Sequence, residues 1–119
     1  MVANDTTTGA GQRAENLAAR YLEARGLTIA ARNYRCRGGE IDLICRDDAT
    51  LVFVEVRLRR RSDFGGAAAS ITLAKQRRII LAARHYLASQ RNFDADCRID
   101  CVLLDGNRIE WLRDAIAAH

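Results

Sequence analysis

Hydrophobic and polar positions change period several times along the chain, and each change marks an element. Over residues 10–25, Ala14, Leu17, Ala18, Tyr21 and Leu22 recur at helical spacing and Gly26 supplies a stop. Residues 27–34 read as a strand, and 35–39 as a basic, glycine-containing turn. Residues 40–46 and 51–58 alternate as two further strands, joined as a hairpin around Asp47 and Asp48. A second helix, capped by Ser70 or Thr72, runs to residue 89 with a stripe of Leu73, Ile79, Ile80, Ala83, Tyr86 and Leu87. Two last strands, 98–104 and 108–112, flank the turn Asp105, Gly106, Asn107. Residues 1–9 are small, polar and aperiodic, so they are expected to be disordered, and 59–69 to form a loop. The order α-β-β-β-α-β-β predicts an α/β fold, a mixed sheet flanked by helices, in a single domain over 10–119.

Within the run 39–57, GEIDLICRDDATLVFVEVR, carboxylates interrupt two strand patterns. A strand sends alternate side chains to opposite faces, so Glu55 and Arg57 share one, and the hairpin brings Asp42 beside them. Burying charge without compensation is costly, and metal binding is the first reason to weigh. Hydrolysis of a phosphodiester requires a divalent ion held by carboxylates and a main-chain carbonyl, and a cation near the reacting phosphate. Asp42, Glu55, the carbonyl of Val56 and the Arg57 side chain supply those atom types on adjacent strands. Glu15 is either an ordinary solvated helix glutamate or a third carboxylate: it borders the apolar stripe and has no basic residue three or four positions away.

Composition narrows the setting. The chain has 119 residues, and no apolar run approaches the roughly 18 residues that span a bilayer. The start, MVANDTTTGAGQ, has neither a basic segment nor a hydrophobic one, so a cytoplasmic protein without membrane association is expected. The cysteines Cys36, Cys45, Cys97 and Cys101 match no zinc spacing, and Cys97 and Cys101 read as small buried thiols. A net charge of +4 and a pI of about 9.2 favour an anionic partner. Lys75 is the single lysine among 19 basic residues, so a general excess of arginine offers a plain origin for Arg57.

The combination of motifs is more specific than any of these. Gly11, Ala14, Glu15, Ala18, Tyr21, Leu22 and Gly26, then RNYRCRGGEIDLI over 32–44 and FVEVR over 53–57, resemble the YraN-like family of bacterial proteins. Phe64, Gly65, Lys75, Arg78, Ile79 and RIDCV over 98–102 continue the resemblance, which covers nearly all of the chain beyond residue 10. That family is similar to the restriction-endonuclease-like, or PD-(D/E)xK, superfamily and to archaeal Holliday junction resolvases. The resemblance implies an αβββαβ core and a Mg²⁺- or Mn²⁺-dependent nuclease centre. By position, Asp42 is then the motif aspartate, Glu55 the motif glutamate, Glu15 the helix-borne acid, and Val56 the residue whose carbonyl faces the metal. A homodimer fits the same resemblance, since resolvases cut two strands symmetrically.

The departure is Arg57, which stands where the motif has lysine. Arginine stays charged and is bulkier than a deprotonatable lysine. Either the site no longer cuts, or arginine suffices, or Lys75 on the second helix takes the role; the plain alternative for Lys75 is a solvated first-turn lysine. Arg32, Arg35, Arg37, Arg59, Arg60 and Arg61 are candidates to hold nucleic-acid phosphates, with a solvated basic surface as the plain alternative. Gly38 and Gly39 fit a tight turn or close approach of a nucleic-acid strand. Glu40 begins a strand, Asp100 is expected to pair with an arginine, Trp111 to anchor the last strand, and His85 and His119 to be structural or exposed. The readings carried forward are a metal-dependent DNA endonuclease acting on branched or structured DNA, a DNA-binding module with a decayed centre, and a protein-interaction domain.

Overall fold

The computed structural model describes residues 9–58, 71–91, 94–106 and 108–117. Along them run α1 (Gly9–Ala24), β1 (Thr28–Cys36), β2 (Gly39–Asp47), β3 (Thr50–Leu58), α2 (Leu73–Ser89), β4 (Cys97–Asp105) and β5 (Arg108–Ile116). The strands make a five-stranded sheet in the order β1-β2-β3-β4-β5. All neighbours are antiparallel except β3 and β4, which are parallel. A parallel pair needs a crossover connection, and α2 lies within it. The result is the expected α/β fold, a mixed sheet with two helices that is consistent with an αβββαβ-type core.

Each helix covers one face. Ala14, Ala18, Ala19 and Leu22 of α1 pack with Leu43, Val52, Val54 and Val102. Ile79, Ala82, Ala83 and Tyr86 of α2 pack with Ile41, Ile44, Phe53 and Ile99. Because β3 is covered on both sides, its apolar positions run without interruption from Leu51 to Val54, as in parallel sheets. Glu55 therefore enters a strand position where water is already excluded.

Several expectations need correction. Leu17 is 46 % exposed, and Glu15 takes a place on the buried side of α1 instead, one step round from the stripe expected. Leu73 is 66 % exposed, and the core position at the start of α2 is taken by Ile71 just before the helix, which is 3 % exposed. Cys101 is buried but Cys97, at the strand's first position, is exposed. β5 continues to Ile116 instead of ending at residue 112. An irregularity in its pairing hid that extension: Ile99 pairs with Ile116, but Cys101 with Leu112. Thr72, not Ser70, caps α2, its hydroxyl accepting the Lys75 N–H at 3.1 Å; Ser70 lies outside the described residues. The expected disordered start (but for Gly9, which begins α1), the loop at 59–69 and His119 also lie outside them.

Gly39 has a definite structural task. A Cβ built on it would stand 2.6 Å from the Arg78 carbonyl oxygen and 2.9 Å from the Ala82 nitrogen. Glycine here lets the backbone of α2 lie against β2. Gly38, with φ +81, makes the turn before it. Glu40 pairs with Arg78 at 2.9 Å, which ties the start of β2 to the same helix. His85 bonds through its ring to the Tyr34 hydroxyl.

Candidate active site

The pairing of β2 with β3 runs from Asp47↔Thr50 to Leu43↔Val54 and ends there. The next two residues are Asp42 and Glu55. Asp42 does not continue the ladder through its main chain; its side-chain Oδ2 accepts the Val56 N–H at 2.8 Å. The face pattern also changes at this row. On β2, Ile41 and Ile44 share the α2 face while Leu43 and Cys45 face α1. On β1, Ala31 and Tyr34 likewise share the α2 face although they are three residues apart. Strict alternation is thus broken at Asp42 and at the adjoining row of β1, and the carboxylate is carried to the opening between strands.

Glu55 is 2 % exposed and its carboxyl hydrogen-bonds that of Asp42. Lys75 reaches over from the first turn of α2 and places Nζ 2.8 Å from Glu55 Oε2. Lys75 faces the charge of the carboxyl pair as a whole, and the buried Oε2 has no partner of regular hydrogen-bond geometry. Arg57 Nη1 stands at 4.0 Å from the same oxygen, and its Nε is buried without a hydrogen-bond partner. Arg57 therefore occupies the motif position while Lys75 makes the close contact.

Protonation follows this geometry. Burial, then the Asp42 charge, push Glu55 up to about 8 against the pull of Lys75. Asp42 is also raised, chiefly by burial, with the Val56 N–H and the Glu55 bond opposing. The shared hydrogen bond favours the proton on Glu55 and the charge on Asp42. Burial works to lower the Lys75 ammonium, but Glu55 and Asp42 outweigh it and the net shift is upward.

Glu15 approaches from α1. It is 9 % exposed, raised first by burial and then by the Asp42 charge, while a hydrogen bond from the Asn33 side chain acts in the opposite direction. Its Oε1 is buried with no hydrogen-bond partner. Glu15, Asn33, Asp42, Val56 and Lys75 line one open cavity of about 240 Å³, with Arg35 also on its wall. Among the described residues, no three His, Cys, Asp or Glu side chains are grouped closely enough to hold a metal ion. Asp42 and Glu55 form a pair, with the Val56 N–H on Asp42 and the Lys75 ammonium on Glu55. The donor types nevertheless suit a hard cation: carboxylate oxygens on the wall of an open cavity, one of them orphaned.

Of the other expected site residues, Arg35 and Arg37 are exposed, while Arg59, Arg60 and Arg61 lie outside the described residues. Arg32 bonds Asn16 through Nη1 at 2.7 Å. Asp100 belongs elsewhere, paired with Arg98 and bonded by the Trp111 indole at 2.9 Å. Asn33 was not singled out in the sequence, since nothing in a hydrophobic pattern distinguishes one polar strand residue from another.

Comparison with known proteins agrees with this arrangement of motifs. A UPF0102 protein of Dechloromonas aromatica is 63% identical over 116 residues, covering 98% of this chain and 95% of its own. One from Ralstonia pickettii is 58% identical over 113 residues, covering 92% and 90%. One from Aeromonas hydrophila is 53% identical over 107 residues, covering 88% and 82%. The family model described as "Uncharacterised protein family UPF0102" matches residues 14–104, so the chain belongs to UPF0102, the YraN-like family that its motifs resemble.

Proposed function

We propose that this chain is a cytoplasmic DNA-acting protein that hydrolyses phosphodiesters with the help of Mg²⁺ or Mn²⁺, on branched or otherwise structured DNA. The observation that carries the reading is the meeting of Asp42, Glu55 and Lys75 where β2 and β3 part, across a cavity from the orphaned Glu15 Oε1. Asp42, Glu55, Glu15 and the Val56 carbonyl would hold the ion. When bound, it would supply charge to offset the phosphate oxygens and to acidify a water.

The chain's own groups do the rest. Lys75 keeps a proton on an ammonium next to Glu55, where it can orient a water or neutralise charge building on phosphate oxygen. Arg57 adds a positive charge on the same face as Glu55. Glu55 holds a proton that binding of a cation would have to displace. Arg35 and Arg37, with Arg59, Arg60 and Arg61, bind phosphates on either side of the one attacked. A homodimer would cut two strands of a junction symmetrically.

A second reading is a DNA-binding module, or a protein-interaction domain, with a decayed centre. The observation favouring it is that Lys75 already neutralises the carboxyl pair without a metal. Cleavage of single-stranded, duplex and four-way-junction DNA with Mg²⁺ or Mn²⁺ decides between them. The endonuclease gives metal-dependent products that Asp42→Asn abolishes while the protein stays folded. Salt-sensitive retardation of DNA with no such product would establish the binding module instead.

A further inference from the structure

The two flanks of α1 differ. Asn16 turns toward β1, where Arg32 donates to its side chain at 2.7 Å. Tyr21, five residues on, lies about 140° further round the helix, with Leu17 one turn before it. That flank looks away from β1, and so toward β4 and β5 at the other end of the sheet. Ile109 and Trp111 of β5 are on the same face, half-buried against its core. A strip results, with Leu17 and Tyr21 on one bank, Val56 within it, and Ile109 and Trp111 on the other.

An arginine lies over each ring of this strip. Arg25 Cζ stands 3.5 Å from the Tyr21 ring centre and Arg113 Cζ 4.1 Å from that of Trp111. Arg25 is held there by a bond from Nη1 to the Tyr21 carbonyl oxygen at 3.3 Å. The Trp111 ring is fixed by its edge, because its indole N–H donates to the buried Asp100 at 2.9 Å. Arg13 and Arg20, both exposed, add charge to α1. The acids fall elsewhere: Glu15 is buried, and Glu23, two turns on from Asn16, shares that residue's flank. Glu110 pairs with Leu103 and takes the other face, and Asp114 lies beyond Arg113.

A second copy fits this surface poorly. A two-fold dimer sets one patch against itself, so arginines would meet arginines. An unpaired nucleic-acid strand fits it well, since every base has a face to stack and every phosphate a charge to pair. We infer that the strip between α1 and β5 binds an unpaired nucleic-acid strand, through the Tyr21–Arg25 and Trp111–Arg113 pairs. Val56 also lines the cavity beside Asp42, so a strand held on the strip is led to that opening. The inference shares a nucleic-acid partner with the proposed function but needs neither metal nor cleavage.

Trp111 is the single tryptophan of the chain and reports the contact directly. The full chain is titrated in EDTA with oligothymidylate of about 12 nucleotides and with a duplex of the same length. The single strand should bind more tightly than the duplex and quench the Trp111 fluorescence. Arg25→Gln combined with Arg113→Gln should weaken binding at least about tenfold, and the slope of log affinity against log salt should shrink by about 1.4, for two contacts. Tyr21→Leu, which keeps apolar packing, should weaken binding about fivefold or more. Arg77→Gln combined with Arg84→Gln removes the same charge from the exposed side of α2 and should have much less effect. Equal losses from the two arginine pairs would overturn the inference, because charge alone would then hold the strand. Absence of binding, binding without quenching, or a duplex bound as tightly would overturn it too. So would a dimer in solution that Leu17→Ser dissociates, since a second copy would then cover the strip. None of these outcomes touches metal-dependent junction cleavage, and absence of cleavage leaves this binding standing, so the two readings fail separately.

Discussion

Lys75 Nζ lies 2.8 Å from Glu55 Oε2, whereas Arg57, two residues along the same strand from Glu55, comes no nearer than 4.0 Å. The close positive charge on the buried acid comes from the helix and not from the strand. If the site cuts DNA, Lys75→Met should lower single-turnover cleavage by about 10²-fold or more, the scale for losing one well-placed charged donor. Arg57→Met should cost less. Equal losses from the two, in variants that still bind DNA, would return the role to the strand position.

The carboxyl pair makes stability depend on pH. Glu55 is raised from an ordinary 4.5 to about 8, so between those values the folded chain holds a proton that the unfolded chain has released. Stability contributed by this group is therefore fully present near pH 4.5, falls as pH rises through the window, and is lost above about 8. Melting temperature without divalent ions should fall between pH 6 and pH 8.5, and Glu55→Gln should flatten that slope. A wild-type slope matched by Glu55→Gln would mean that other groups cause it. Adding Mn²⁺ should reverse the trend, because binding favours the deprotonated pair.

Element order and the pairing of Asp42 with Glu55 were legible because both follow from period. Alternation puts Glu55 on a definite face, and a short turn fixes its partner strand. The same rule concealed the detail that matters most. Alternation fails at Asp42 and beside Asn33, and those breaks let Asp42 bond Val56 and put Asn33 on the wall of the cavity that Glu15 also lines. Glu15 was ambiguous for a related reason. A helix stripe of alanines is too weak to decide whether Leu17 or Glu15 faces the sheet, and the packing of Ala18, Ala19 and Leu22 against β3 and β4 decides it. The contact of Lys75 with Glu55 needed tertiary structure, since 19 residues of chain lie between them.

Gly39 holds α2 at the distance from which Lys75 reaches the site. Gly39→Ala would drive a methyl to 2.6 Å from the Arg78 carbonyl oxygen, and backbone on both sides must shift. Overpacking of this kind costs about 1–3 kcal/mol, measurable as a lower urea midpoint with an unchanged slope. Because Arg78 and Lys75 share the start of α2, the same change should also weaken Mn²⁺ binding. A substitution that leaves both unchanged would show that α2 can move away without consequence.

Asp100 tests whether a buried acid remote from the cavity is purely structural. It is fully buried between β3 and β5, where Arg98 Nε, the Trp111 indole N–H and the Asp114 N–H all donate to its two oxygens. Arg98 also donates to Asp47 at 3.1 Å, which binds the end of β2 to β4. An asparagine keeps the shape but has one acceptor oxygen, so a donor is left unpaired, and Arg98 loses its buried counter-charge. Asp100→Asn should therefore lose about 3 kcal/mol or more, with a melting temperature lower by roughly 10 °C. Below its own melting range the variant should keep the Mn²⁺ affinity of the unaltered protein, since none of these donors touches the cavity. Lost affinity in a folded Asp100→Asn protein would link β5 to the centre and contradict this separation of roles.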